Sequence, residues 1–265
     1  ASAVADAADA PAVDLRPGPD VGHIRCSGEK ELSKEFDAIH RTLSDRGDWN
    51  QRMSALKRLQ ALVLGSARVA RFVPLAVKLR EPLAAQVQDL RSAIVREACT
   101  VLFLLVHALG SDFEPFALIA LPALMKLTFV TIQVIAESGC QCARAIVREC
   151  RTARVLGSLL DHLTSKNATQ RWRCAQMVFL ALQTYPAPVI ERHADALETG
   201  IRQLLDDARD EVRACGRRCF WAFRETFEER CARLYARLDS TKQRLLEGGR
   251  PATPCRGGSD TEAGG

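Results

Sequence analysis

Two features that β-rich proteins need are scarce in this sequence. Aromatic residues make up only 6% of the 265 residues, and no Asn-Gly or Asp-Gly turn separates alternating strands. Both deficits disfavour a β-sandwich, whereas the abundant Ala, Leu, Val and Arg favour helices. The sequence therefore predicts an all-α protein.

Long uncharged apolar runs are also missing. The longest run, "ALIALPALM" at 117–125, is interrupted by Pro122, whereas a membrane-spanning helix needs about 18 or more such residues. The N-terminus lacks the charged start and apolar run of a secretory signal. We therefore expect neither a membrane-spanning segment nor a secretory signal.

Catalytic and metal-binding patterns are absent from the sequence as well. It has no phosphate-binding glycine loop, no H-E-x-x-H and no G-x-S-x-G, and its five histidines are scattered. Most of the ten cysteines lie in helical apolar patterns, where a free Cys acts as a small hydrophobe. Cys215 and Cys219 share a helix face, but no His or further Cys pair completes a zinc site. The sequence predicts a binding module with reduced thiols and no cofactor; a disulfide framework and a metal site are weaker alternatives.

The two ends differ in composition from the rest of the chain. Residues 1–28 are rich in Ala, Asp, Pro and Gly without sustained periodicity, and residues 248–265 are similar. We predict disordered tails at both ends, which leaves one helical domain at 29–247. The net charge of +5 is modest and suits an acidic partner.

The helical body repeats itself. Four segments have Arg at their second position, followed by small or apolar residues: "QRMSALKRLQAL" (51–62), "LRSAIVREACTVL" (90–102), "QRWRCAQMVFLAL" (170–182) and "VRACGRRCFWAF" (212–223). The arginines at 52, 91, 171 and 213 lie 39, 80 and 42 positions apart, so a fifth copy is expected near 131. Residues 133–150 fill that place less cleanly. Apolar helices between the copies make the unit a helix pair of about 40 residues, the period of HEAT arrays.

Such pairs stack into a solenoid because no single unit can bury its apolar face alone. Five units and one leading helix (29–45) account for the body; the intervening helices are expected at 68–79, 112–128, 152–163 and 188–205. The turns inside the pairs should line one edge, with the arginines in the first turn of each second helix. We predict an α-solenoid of about five HEAT-like pairs, shaped as a curved or flat paddle.

Trp49 lies at one end of this predicted edge, in the turn "SDRGDWNQRMSALK" (44–57). It either packs back on its own helix as a hydrophobic staple or is a partly exposed anchor for a protein partner. Cations follow along the edge: Arg91 beside Ser92, Lys166 and Arg171 around Asn167, then Arg209, Arg213 and Arg217. An aromatic residue followed by cations suits an acidic protein surface.

These segments together resemble the TOG domains of the cytoplasmic linker-associated proteins (CLASP), which are tubulin-binding HEAT arrays. The matching stretches are "LSDRGDWNQRMSALKRLQAL" (43–62), "DLRSAIVREAC" (89–99), "AESGCQCARAIVREC" (136–150), "LTSKNATQRWRC" (163–174) and "DARDEVRACGRRCFWAF" (207–223). The resemblance covers about residues 30–247. A single "VR…A" is generic, but the order of the motifs with the "DW-x-x-R" turn is specific.

The resemblance implies that the edge faces αβ-tubulin or the microtubule lattice. It places Trp49 in the first turn, Arg91 and Ser92 in the second, Lys166 and Arg171 in the fourth, and Arg213 and Arg217 in the fifth. The third turn has Gln133 where the family has Lys, which removes one charge at mid-edge. Arg52 is expected to be internal, and some of the other arginines could brace the turns instead of touching tubulin.

The implied function is regulation of microtubule dynamics: stabilisation, suppressed catastrophe and promoted rescue. The implied setting is a monomeric domain of a longer protein, in the cytoplasm on microtubules or in the axoneme. Two alternatives stay open, a generic HEAT-repeat scaffold and a ciliary TOG protein of the crescerin type. Nucleic-acid binding is disfavoured because the cations interleave with acids in "DDARDEVRACGRR" and no aromatic stacking platform is evident.

Overall fold

The computed structural model describes residues 13–45 and 47–250. Within those ranges the regular structure consists of helices and contains no strand. The α-helices, numbered in chain order, are α1 (Glu29–Ser44), α2 (Trp49–Ser66), α3 (Phe72–Ala76), α4 (Arg80–Val87), α5 (Ser92–Leu109), α6 (Glu114–Leu127), α7 (Gln133–Glu149), α8 (Ala153–Leu160), α9 (Ala168–Thr184), α10 (Ala187–Glu191), α11 (Ala194–Leu205), α12 (Asp210–Thr226), α13 (Glu228–Ala236) and α14 (Ser240–Gly248). Single 3-10 turns join some of them.

The helices form five pairs, as the repeat predicts. The second helices are α2, α5, α7, α9 and α12, and their starts lie 43, 41, 35 and 42 residues apart. The prediction of a separate leading helix is wrong, because α1 packs against α2 as the first helix of the first pair. The α3–α4 segment, α6, α8 and α11 supply the other first helices, and α13 and α14 follow the fifth pair.

Consecutive second helices pack side by side and run in the same direction. Near their N-terminal ends, Arg52 of α2 bonds Asp89 just before α5, and Arg173 of α9 bonds Glu137 of α7. Farther along, the Cys219 thiol of α12 donates to the Ala175 carbonyl of α9 at 3.5 Å. These partners lie 37, 36 and 44 positions apart, so the sequence repeat reappears as a ladder of contacts.

The segment Ser92–Leu127 is long and apolar enough, by length and composition, to cross a membrane. The sequence predicts no membrane-spanning segment. In the structure this stretch is two helices, α5 and α6, separated at Gly110, which has a φ of 55°. Leu105 and Leu121 are both fully buried in the core between the helix layers. Packing inside the array therefore accounts for the apolar composition of this stretch.

Residues 13–28 are not a disordered tail, so that prediction is wrong for this part of the chain. We call residues 13–27 the N-terminal strap. The backbone N–H of Ile24 donates to the Ala61 carbonyl at 2.8 Å, and the Ser66 hydroxyl bridges the Ile24 carbonyl and the Cys26 N–H. Leu15 is buried in the hydrophobic core. Residues of α2 thus form hydrogen bonds with backbone groups of the strap, and sequence periodicity does not reveal such bonds. Residues 1–12 lie outside the described range.

The C-terminal boundary also differs by a few residues. The helix α14 ends at Gly248, and the Arg250 guanidinium lies 5.4 Å from the centre of the Trp221 ring. Trp221 in turn donates its indole N–H to the Leu246 carbonyl at 3.2 Å. Residues 248–250 therefore pack on the fifth pair, and the rest of the expected tail, 251–265, lies outside the described residues.

Candidate protein-binding edge

The turns that precede the five second helices lie along one edge of the array. We number them one to five, ending at the residues before α2, α5, α7, α9 and α12, and call them together the turn edge. Turns one and two are joined by Arg52 and Asp89, and turns four and five by Arg171 and Asp207. Glu137 and Arg173 join the starts of α7 and α9.

Trp49 is the first residue of α2, one position beyond turn one. The Asp48 carboxylate accepts from the Asn50 N–H at 2.8 Å and caps the helix, which fixes the direction in which the indole leaves the backbone. The Trp49 side chain remains 39% exposed, and the Arg91 guanidinium lies 5.9 Å from its ring centre. The indole is thus partly open to solvent at the end of the turn edge.

Arg52 is internal, as expected from the sequence. It is 4% exposed, and its Nη1 donates to Gln86 Oε1 and to Asp89 Oδ2, both at 2.6 Å. Burial opposes the charge on Asp89, but the hydrogen bonds from Arg52 and from the Arg91 backbone outweigh it and lower the pKa of that carboxyl. This buried pair holds turn two against the start of α2.

Arg171 braces turns four and five. Its Nε and Nη2 donate to the two carboxylate oxygens of Asp207 at 2.6 and 3.0 Å, and its Nη1 donates to the carbonyls of Ser165 and Lys166. The hydrogen bond from Arg171 is the main reason that the pKa of Asp207 is lowered. The guanidinium therefore makes its hydrogen bonds within the domain, and only a small part of the side chain is exposed to solvent.

Arg213, the fourth residue of α12, braces turn five in a similar way. Its Nη1 donates to the carbonyls of Asp207 at 2.6 Å and Ala208 at 2.8 Å, and it pairs with Asp210.

Arg217 is not part of turn five, contrary to the sequence analysis. Helix α12 carries it two turns farther on, where its Nε would lie 4.0 Å from a Cβ at Gly249. Burial, with a smaller effect of Arg213, lowers the pKa of Arg217.

Three of the residues expected at the edge are exposed there. Ser92 and Gln133 are the first residues of α5 and α7, and Lys166 lies in turn four. Within the part of the chain that the structure describes, no carboxylate pairs with Lys166. Its ammonium group is therefore available to an acidic partner.

The sequence repeat aligns Arg91 with the wrong residues. Arg52, Arg171 and Arg213 are each the fourth residue of their helix, whereas Arg91 is the N-cap of α5. Its structural counterpart is Arg209, since the backbone N–H of each donates to an Asp two residues earlier, at 2.8 and 2.9 Å. The motif D-x-R at 89–91 and 207–209 could have shown this correspondence.

Sequence reasoning missed an exposed cation near turn three. Lys126 lies exposed in the last turn of α6, just before that turn. Burial lowers the pKa of His162, while Asp161 opposes this effect and the positive charge of Lys126 adds to it. Lys126 therefore supplies a positive charge beside turn three, where Gln133 supplies none. A basic residue at a helix end beside a predicted turn was the available signal.

Exposed apolar side chains at turns two and three were also missed. Leu90 is 98% exposed, and Phe129, Ile132 and Val134 are exposed beside turn three. In the sequence they are continuous with apolar helical segments and carry no sign that they leave the core. Only the positions of the turns, set by where α5 and α7 begin, place them on the surface.

Five stacked helix pairs with an exposed turn edge define a HEAT-like helical array. The structure resembles a solved structure described as the basis of tubulin recruitment and assembly by microtubule polymerases with TOG domain arrays. The TM-score is 0.67 at 21% identity, over 82% of this chain and 46% of that one. A crescerin TOG domain, described as regulating microtubules in the primary cilium, gives a TM-score of 0.61 at 20% identity, over 81% and 90% of the two chains. These likenesses establish a TOG-type fold.

The family follows from the sequence comparison. Residues 32–247 match the family model described as CLASP N terminal. The chain is 40% identical over 226 residues to a CLIP-associated protein of Arabidopsis thaliana. The alignment covers 84% of this chain and 16% of that protein. The chain therefore belongs to the CLASP N-terminal family. It spans about one sixth of the length of the curated relatives it matches.

Proposed function

We propose that this domain binds αβ-tubulin, free or in the microtubule lattice, through its turn edge and thereby regulates microtubule dynamics. The membership of the CLASP family and the TOG-type fold support this function, because structures of that fold are described in terms of tubulin recruitment and microtubule regulation. Stabilisation, suppressed catastrophe and promoted rescue would follow if the domain binds one tubulin conformation better than another.

The observation that carries the proposal is the position of Trp49. A large side chain that is 39% exposed, beside the Arg91 guanidinium, contributes little to the core. Partly exposed Trp residues dominate many protein interfaces, since they bury a large apolar area and can also interact with polar groups. A generic scaffold without this partner gives no reason to keep an indole at the end of the edge.

The other edge residues divide into two roles. Lys166 and Arg91 are exposed cations that we assign to contacts with acidic tubulin surfaces, together with the first helical residues Ser92 and Gln133. Arg171 and Arg213 position turns four and five through their hydrogen bonds to the turn carbonyls. Arg217 acts away from the edge, against the end of α14.

Size-exclusion chromatography with purified tubulin tests the proposal. Trp49→Glu should abolish co-elution while the helical melting curve stays nearly unchanged, because the indole is partly exposed and an acidic residue suits a helix N-terminus. Leu64→Glu is the matched control: Leu64 is about as exposed as Trp49 but lies near the other end of α2, away from the edge, and its variant should co-elute normally. Co-elution of Trp49→Glu at the wild-type level would favour the generic scaffold.

The proposal includes four further statements about the domain. It acts by binding alone and catalyses no reaction, it is monomeric, and it binds neither nucleic acid nor membranes. Its association with microtubules locates it in the cytoplasm, with the axoneme as the alternative that the crescerin likeness raises. A filter-binding assay at moderate salt tests for nucleic-acid binding, vesicle co-sedimentation tests for membrane binding, and light scattering tests the monomeric state.

A further inference from the structure

Helices α5 and α7 each keep one stripe of side chains outside the core, and the two stripes lie side by side. Residues three and four positions apart share one side of a helix. Near the C-terminal ends of both helices, Nδ1 of His107 on α5 lies 3.7 Å from Oε1 of Glu149 on α7. We call the joint surface the α5–α7 face. Its exposed and partly exposed residues include Arg96, Phe103, Leu104, Gln141, Arg144 and Arg148.

This face is separate from the turn edge. Arg144 and Arg148 come eleven and fifteen residues after Gln133, the first residue of α7. At the rise of an α-helix, they lie about 16 and 22 Å along the helix axis from turn three. A partner held at the turns therefore does not need to cover them.

Three guanidinium groups of the α5–α7 face have no acidic partner. Arg96 and Arg148 are exposed and Arg144 is partly exposed. Among residues 13–45 and 47–250, no carboxylate forms an ion pair with any of the three. Arg173 on the next second helix is different, because it is already paired with Glu137. The unpaired charges of α5 and α7 favour an acidic ligand.

Apolar side chains accompany these cations. Phe103 and Leu104 pack against the core and remain partly exposed, about two helical turns beyond Arg96. Apolar area beside charged groups is the usual composition of a protein-binding surface. The face therefore fits a peptide that carries both acidic and apolar side chains.

The N-terminal strap shows that the neighbouring second helix holds a segment of this kind. The Asp20 carboxylate accepts from Nζ of Lys57 at 2.5 Å, and the Ile24 N–H donates to the carbonyl of Ala61, one turn farther along α2. Leu15 of the strap is buried in the core. An extended segment with acidic and apolar side chains is thus already seated on the outer side of α2.

The strap leads to the α5–α7 face without filling it. Hydrogen bonds from Arg16 are the main reason that the pKa of Asp14 is lowered, and the positive charge of Arg96 adds a smaller effect. Asp14 therefore lies near the α5 side of the face. No hydrogen bond or ion pair of strap residues 13–27 reaches Arg144 or Arg148, so the described strap leaves the α7 side open.

We propose that the α5–α7 face binds an extended acidic peptide of a partner protein. Carboxylates of the peptide pair with Arg96, Arg144 and Arg148, and an apolar side chain packs on Phe103 and Leu104. The binding mode is that of the strap on α2, continued over the next two second helices. The site is additional to the turn edge, so the peptide binds whether or not tubulin is present.

Fluorescence polarisation with a labelled, glutamate-rich peptide that contains two leucines tests the proposal. The peptide should bind at low salt and more weakly as salt rises. The double variant Arg144→Gln, Arg148→Gln should lower its affinity at least fivefold and reduce the salt dependence. Gln is nearly as good a helix former as Arg, so this variant should fold normally. A probe with serines in place of the leucines should also bind more weakly.

Arg192→Gln, Arg202→Gln is the matched control. Both arginines are exposed, at the end of α10 and on α11, and the control removes the same charge away from the α5–α7 face. Its affinity for the peptide should equal that of the wild type. Wild-type affinity of the Arg144, Arg148 variant, or an equal loss in the control, would overturn the proposal.

Three further outcomes would also overturn it. A single-stranded oligonucleotide that binds more tightly than the peptide, and depends on Arg144 and Arg148, would make the face a nucleic-acid site. A wild-type dimer that the double variant dissociates would show that a second copy of this chain covers the face. Loss of tubulin co-elution in the double variant would make the face part of the tubulin contact, and the proposed function would still stand.

Discussion

The guanidinium of Arg171 and the carboxylate of Asp207 form a two-point ion pair across 36 positions of sequence. Nε and Nη2 each reach one carboxylate oxygen, at 2.6 and 3.0 Å. The side chains are 18% and 7% exposed, so the pair is mostly shielded from water. Since Arg171 also donates to two carbonyls of turn four, one side chain fixes the spacing of two neighbouring turns.

Removing Arg171 should destabilise the domain and weaken the edge. We expect Arg171→Ala to lower the free energy of unfolding by about 2–3 kcal/mol, because Asp207 is left shielded and partly unpaired. Urea denaturation followed by circular dichroism measures this loss. Arg154→Ala removes an exposed partner of Glu114 and should cost less than about 1 kcal/mol. Equal losses in the two variants would contradict the bracing role.

The same pair should make stability depend on pH in the acid range. The pKa of Asp207 is lowered below its ordinary value of 3.8 in the folded state. Its contribution is therefore present above that ordinary value and is lost as the pH falls through the lower, folded-state value. Urea titrations between pH 3 and 7 should show the wild type and Asp207→Asn differing most near neutrality and converging in acid. A stability difference between the two proteins that widens in acid would contradict this prediction.

Gly65 should be essential for seating the N-terminal strap. A Cβ at that position would lie 2.2 Å from the Ile24 carbonyl oxygen, a backbone atom that cannot move away by a side-chain rotation. We expect Gly65→Ala to destabilise the domain by about 1–3 kcal/mol, although Ala is the better helix former. Limited proteolysis should cut residues 13–27 faster in this variant.

Gly22→Ala provides the control within the strap itself. A Cβ at Gly22 would meet nothing within 4 Å, so its effect on stability should stay within about 0.5 kcal/mol. Wild-type stability and proteolysis of Gly65→Ala would show that the strap does not depend on this close approach.

The cysteine thiols should react slowly in the native protein. Nine free cysteines of the described residues are buried, and burial is the main cause that raises the pKa of Cys150 and of Cys231 to about 12. In a Cys255→Ser background, a disulfide reagent at pH 8 should titrate few thiols before denaturant is added. Cys26 is the least buried at 9% and should react first, and faster when Gly65→Ala displaces the strap.

Rapid reaction of several thiols in the folded state would contradict this burial. The same experiment in denaturant gives the total thiol count and shows whether any cysteines are paired.

The helical array could be predicted from sequence because its signal is repeated along the chain. Segments such as 51–62 and 170–182 carry the same apolar spacing, and the caps Asp48 and Asn167 mark where second helices begin. A period near 40 residues then requires stacking, since one pair cannot bury its own apolar face. The position of Trp49 beside the first turn follows from the same pattern.

The register of the repeat was harder to predict, because arginines occur at two nearby positions. Arg91 caps α5, while Arg171 and Arg213 are fourth in their helices, and a shift of three residues changes which side chain faces the turn. The seating of residues 13–27 was missed for a different reason. Hydrogen bonds to Ala61 and Ser66 have no local periodicity, so an extended strap looks like a tail.

The sequence by itself determined the helices, their pairing and the family, because apolar spacing, caps and ordered motifs are local properties of the chain. Only the tertiary structure decided which edge residues are available to a partner. Arg171 and Arg213 look like surface cations in the sequence. In the structure, however, Arg171 donates to the carboxylate of Asp207 and Arg213 donates to the Asp207 carbonyl. Leu90 looks like a core residue, yet the turn before α5 leaves it in water. Exposure depends on what packs nearby from other repeats, and that is settled only when the array stacks.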